Sequence, residues 1–114
     1  AYSIFAQLAK DASTVYGAEA AYLIILDSYD KGEFEAVETK VYAFSDAGTG
    51  QMYWLAKSFI VLGDSSVERG EYEQAKATFE SVRDGYTPSG NDDDVLDNVN
   101  IRLKKLAELM AEEI

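Results

Sequence analysis

The sequence has no cysteine and no histidine, a single proline, and about half as many basic as acidic residues. Without cysteine there is no disulfide framework, no thiolate metal site and no cysteine nucleophile. Without histidine the commonest general base and the commonest metal ligand are both missing. Lys plus Arg total 10 against 21 Asp plus Glu, a net charge of −11, and this excludes the cationic footprint on which nucleic-acid binding depends. No segment approaches the ~18 apolar residues of a membrane-spanning helix; the most apolar stretch, Ala18 to Leu26, is broken by Glu19. Direct membrane insertion by this segment is therefore not expected.

What is present is a core-forming sequence. Hydrophobic residues make up 47% of the 114 positions, far above what a disordered chain carries, and the length fits one domain or part of one. The start, Ala1-Tyr2-Ser3-Ile4-Phe5, has no Met and no charged leader, and it reads as a cut inside a longer protein or a processed terminus.

Apolar residues recur at helical spacing. Tyr2, Phe5, Ala9, Ala12 and Tyr16 share one face, as do Val95, Val99, Leu103, Leu106 and Met110. Breaks are expected at Gly17, Gly32, Gly48 to Gly50, Gly70, and Gly85 to Gly90 around Pro88, because Gly and Pro punctuate helices. About six helices lie between them, and no alternating strand pattern occurs. The expected fold class is all-α.

The chain also repeats itself. Residues 18–35 placed over 56–73 match at a constant step of 38: Ala18 with Ala56, Ser28 with Ser66, Gly32 with Gly70, Glu33 with Glu71 and Glu35 with Glu73. Phe34 falls on Tyr72, Val37 on Ala75, Val41 on Phe79 and Asp46 on Asp84. Each unit reads as a helix, a tight glycine turn and a second helix, with Gly32 and Gly70 in the left-handed conformation that ends the first helix. Phe34 and Tyr72 then wedge the second helix against the first, and Ala21, Gly63 and Ala75 permit close approach.

At Leu62-Gly63, Gly70-x-Tyr72-x-x-Ala75 and Phe79, ending near Pro88, the second unit resembles the tetratricopeptide repeat family. The first unit departs from that pattern, with Ile25 for the glycine, Val37 for the alanine and Val41 for the phenylalanine, and the period exceeds the family's. The resemblance implies a right-handed α-α superhelix of stacked antiparallel hairpins: a half unit over 1–16, unit one over 18–50, unit two over 51–89 and a capping helix over 92–113. Since one unit cannot bury its own apolar face, segment 1–16 is expected to pack on the helix that follows it.

The remaining motifs favour structural roles. Asn91-Asp92-Asp93-Asp94 lacks the alternating ligands, internal glycine and distal acid of a calcium loop, so Asn91 or Asp92 is expected to cap the following helix. Gly48-x-Gly50 follows a helix and lacks a third glycine, so it is a loop and not a dinucleotide site. Glu33/Glu35, Glu71/Glu73 and Glu112/Glu113 sit one or two apart, which does not bring them together on a helix face. Arg102, Lys104 and Lys105 form a basic stripe expected either to pair with Glu108 or Glu112 as surface charge or to cover a following unit. Trp54 opens a helix and is expected to pack between units.

The resemblance implies that the first helix of each unit lines a concave groove. The groove candidates are Tyr22, Leu26 and Tyr29 from unit one with Lys57, Asp64 and Glu68 from unit two. A clamp for acidic tails would need cations or amides where Tyr22, Leu26 and Val61 stand. The expected partner is therefore another protein or peptide, neutral or basic, since an acidic one is repelled. The reading is a non-catalytic interaction scaffold without cofactor or metal. The alternatives are a purely structural or oligomerisation module and, more remotely, an enzyme using carboxylates alone. Similarity to repeat proteins of bacterial envelope assemblies implies a periplasmic or membrane-associated parent.

Overall fold

The computed structural model describes residues 14–88, 90 and 93–112. Five helices and no strand occur among them: α1 (Val15–Asp30), α2 (Phe34–Asp46), α3 (Met52–Glu68), α4 (Tyr72–Gly85) and α5 (Val95–Glu112). They form an all-α stack of helix hairpins, α1 with α2 and α3 with α4, followed by α5. The helix expected over 1–16 lies outside the described residues up to Ser13.

Gly17 does not break the chain as expected. It is buried in the first turn of α1, where its N–H donates to Thr14 Oγ1 at 2.9 Å. This threonine cap starts the helix before the glycine, and such a cap outweighs the modest cost of glycine in a first turn. Tyr16 is 76% exposed.

The 38-residue echo is visible in the backbone. Gly32 and Gly70 have φ of 75° and 74°, and each closes its helix with the same pair of bonds. Gly32 N–H donates to Tyr29 C=O and Glu33 N–H to Ser28 C=O, both at 2.9 Å; Gly70 donates to Val67 at 3.0 Å and Glu71 to Ser66 at 2.8 Å. These are the paired bonds that reverse a chain after a helix. Phe34 and Tyr72, the next residues, are half-buried. Phe34 lies 5.9 Å from the Tyr29 ring and Tyr72 packs on the second core cluster.

Two apolar clusters make up the interior. One joins Ala18, Ile25, Val37, Val41 and Phe44 to Val61 and Leu62; the other joins Ala56 and Ile60 to Ala75, Phe79, Val82, Val95, Val99 and Leu106. Helix α3 supplies both and packs against all four other helices. Residues 49–70, in which Lys57 and Arg69 balance Asp64 and Glu68, thus supply the most enclosed of the described helices. The equivalent positions Val37 and Ala75 are fully buried, as are Val41 and Phe79 to within 1%.

The tightest approach is between α3 and α4. The Phe79 ring packs directly against Gly63, so that a Cβ built on Gly63 would sit 2.3–2.8 Å from three ring carbons. Phe79 is itself 1% exposed and has nowhere to retreat. Gly63→Ala is expected to cost about 1–3 kcal/mol by overpacking, measured by urea unfolding. Gly50→Ala, where nothing lies within 4 Å, should be neutral or stabilise by a few tenths, roughly up to 1 kcal/mol.

Candidate functional site

Helices α1, α3 and α5 lie side by side and share one face, to which every groove candidate belongs. On α1, Tyr22, Leu26 and Tyr29 follow the spacing of neighbouring turns and are half-buried against the first apolar cluster. The Tyr22 ring sits 5.4 Å from Trp54 across the α1–α3 seam, tilted by 40°. Trp54 in turn meets Tyr53 edge-on at 5.1 Å. Trp54 therefore packs between the two hairpins, as expected from its place at the start of a helix.

The charged candidates on α3 are held by α5. Lys57 Nζ donates to Asp94 Oδ2 at 3.3 Å and stands 5.7 Å above the Tyr53 ring. Tyr53 Oη donates to the other oxygen of Asp94 at 3.0 Å. Two turns further along, Asp64 accepts two bonds from Arg102, from Nε at 2.8 Å and from Nη2 at 3.1 Å. Arg102 Nη1 also reaches the Asn98 carbonyl and side-chain oxygens at 3.3 and 3.2 Å. A planar guanidinium suits this forked contact with a carboxylate. Glu68 is exposed at the end of α3.

Arg102 thus pairs across the α3–α5 seam, where the sequence suggested Glu108 or Glu112. Residues 64 and 102 stand 38 apart, the repeat step, which places them at matching heights on adjacent helices. Carrying the 38-residue register past unit two is the signal that finds this pair. Asp94, the other α5 residue in the site, falls 38 beyond Ala56.

The electrostatics follow from this geometry. Burial raises the Tyr29 hydroxyl pKa above its ordinary value, and the fields of Asp64, Glu68 and Asp30 add to it while Arg102 opposes. Tyr53 is raised by burial and by its bond to Asp94. Burial pulls Lys57 down, but the hydrogen bond to Asp94 and the surrounding negative field outweigh it, and the net shift is upward. Burial pushes Asp94 up, but the Tyr53 and Lys57 donors prevail and lower it.

The aspartate run is occupied by its own neighbours. Asp93 Oδ1 accepts from Val95 N–H at 3.0 Å and its other oxygen accepts from the Tyr86 hydroxyl. The helix thus begins after Asp94, whose C=O accepts from Asn98 N–H at 3.0 Å, with the Asp93 side chain holding the first N–H; Asn91 and Asp92 lie outside the described residues. Among the described residues no group of three acidic, histidine or cysteine side chains is placed to hold a metal ion. Glu33 and Glu71 stand at the starts of α2 and α4 without capping them through their side chains. Arg69 meets Glu71 at 3.6 Å and Glu38 of α2 at 3.4 Å, tying the two hairpins together. No protein family, curated protein or solved structure matches the chain.

The Asp94 contacts set a pH dependence. Its folded pKa lies below the reference 3.8, so its contribution is present above about pH 4 and is lost as pH falls through the folded value. Lys57 is raised above 10.5, so its share is present below that pH and is lost as pH rises past its folded pKa. Asp94→Asn should lower stability by up to roughly 1 kcal/mol at pH 7, given a half-exposed carboxylate. The gap to wild type should close below pH 3.8, as followed by circular dichroism at fixed urea.

Proposed function

We propose that the chain is a non-catalytic protein-interaction scaffold of tetratricopeptide-like hairpins, receiving a neutral or basic partner segment on the face shared by α1, α3 and α5. The observation that carries the reading is the aromatic seam of Tyr22, Trp54 and Tyr53, three half-buried rings in contact along two adjacent helices. Large rings with one polar atom are the side chains that most often anchor a partner, since they offer apolar area with little entropy to lose.

Within this reading the groove candidates divide by role. Tyr22, Leu26 and Tyr29 offer apolar surface, and Glu68 offers an exposed acid near the raised Tyr29 hydroxyl. Lys57 and Asp64 act on the groove indirectly: their ion pairs with Asp94 and Arg102 fix the position of α5 and so the width of the face. The surplus of acids over the whole chain, −11, disfavours acidic partners.

Trp54 is the only tryptophan, so its emission reports directly on the seam. Titration with synthetic peptide libraries of basic, neutral and acidic composition should change Trp54 emission with the first two and not with the third. Tyr22→Ala should weaken that binding by about tenfold, the loss typical of an anchoring aromatic, with the helical circular dichroism signal retained. Equal response to acidic peptides, or indifference to Tyr22→Ala, overturns the reading.

A further inference from the structure

On the side of α3 away from the aromatic seam lies a second concavity. At ~100° per residue, Met52, Leu55 and Phe59 project from α3 roughly opposite Lys57 and Asp64. They form the floor of an apolar groove of about 350 Å³, whose far wall comes from Val82, Gly85 and Tyr86 at the end of α4. Helices α2 and α4 each pack on α3 but not on each other, and this leaves the channel open between them. Met52 is 54% exposed and Tyr42, whose ring meets Phe59 edge-on at 6.3 Å, is 51% exposed. Among the described residues no charged one lines the groove, in a chain where 27% of residues are charged. Its size and its apolar lining with few polar groups are those of a binding cleft.

The two walls differ in charge. The helical period places Glu35, Glu38, Tyr42 and Asp46 on one side of α2, all of them exposed, with Tyr42 beside Phe59 of the floor and Glu35 and Glu38 continuing that side past the floor toward Arg69. The bordering side of α4 carries Gln74, Thr78, Ser81 and Gly85, none of them charged. Arg69, the cation next to Glu38 among the described residues, is bound to Glu38 and Glu71. Gly85 at the C-terminal end of α4 and Met52 in the first turn of α3 both line the groove, so their helix-end potentials oppose one another and the sign of the field is set by the acids of α2.

We infer that this channel is a second docking surface, which takes the apolar face of an amphipathic helix bearing Lys or Arg along the flank that faces α2. The floor residues follow i, i+3, i+7 along about 10 Å of α3, a spacing that fits the apolar stripe of a helix laid along the groove. The acidic wall selects basic flanks on one side, and the uncharged α4 wall lets the helix approach closely on the other. This surface is separate from the aromatic seam and does not depend on it.

The test uses a synthetic Leu/Lys helix with leucine at i, i+3, i+4 and i+7 and lysine along one flank, beside a Leu/Glu analogue of the same pattern. Added to the ¹⁵N-labelled chain, the Leu/Lys helix should shift the amide signals of Leu55, Phe59, Ser81 and Gly85 as one cluster, and the Leu/Glu helix should not. Met52→Glu, at an exposed first-turn position that tolerates an acid, should weaken binding at least tenfold. Glu35→Gln with Asp46→Asn should weaken it severalfold and flatten its salt dependence. Tyr22→Ala should leave it unchanged, which separates this surface from the seam. Shifts scattered over the acidic surface, equal binding of the Leu/Glu helix, or indifference to Met52→Glu overturns the inference. So does a concentration-dependent dimer of the chain alone that Met52→Glu abolishes, since a second copy would then be the occupant.

Discussion

The contact of Phe79 with Gly63 fixes the axis of the molecule, because it brings α4 onto α3 more closely than any side chain at position 63 would allow. Helix α3 is the only described helix that packs against all the others, and both apolar clusters are built on it. Its circumference is therefore divided among four neighbours. Helices α1 and α5 take the side bearing Trp54, Lys57 and Asp64, while α2 and α4 take the side bearing Leu62, Gly63 and Phe59. The two strips left, one between the members of each pair, are the aromatic seam and the apolar channel. The surfaces open to a partner thus follow from how α3 is enclosed.

Positive charge is scarce, and much of it is used between helices. Arg102 joins α5 to α3, Lys57 does the same at the other end of that seam, and Arg69 links the α3–α4 hairpin to α2. Lys40 of α2 donates to Ser28 of α1 at 2.7 Å. Each such pair is worth about 1 kcal/mol or less at these exposures. Their effect is on register, since a fork such as Arg102 on Asp64 tolerates little sliding. The unpaired excess is acidic and faces outward, so charge that binds the helices together and charge that screens partners come from the same lopsided composition.

Much of this was legible in the residues. The 38-residue step located both glycine turns, and the backbone confirms them with matching φ and matching bonds. The apolar face of Val95, Val99, Leu103, Leu106 and Met110 is the face α5 turns to the second cluster. Gly17 misled because glycine was weighed without the threonine three residues before it. Arg102 misled because a cation on a helix surface suggests partners one turn away, whereas stacking put Asp64 nearer. The channel was hidden for a different reason: Met52, Leu55 and Phe59 look like core, and only the failure of α2 to meet α4 leaves them open.

Adjacency of this kind also governs how the chain reaches and leaves its native state. Each pairing joins helices next to one another in the chain or separated by a single intervening helix, so no closure requires the two ends to meet. Loop-closure entropy is then small at every step, and low contact order of this sort goes with rapid folding. Helix α5, which among the described helices packs on α3 and α4 alone, can detach as a unit while α1 and α2 stay docked. Amide exchange would accordingly be graded along the stack, slowest in α3 and fastest at its margins.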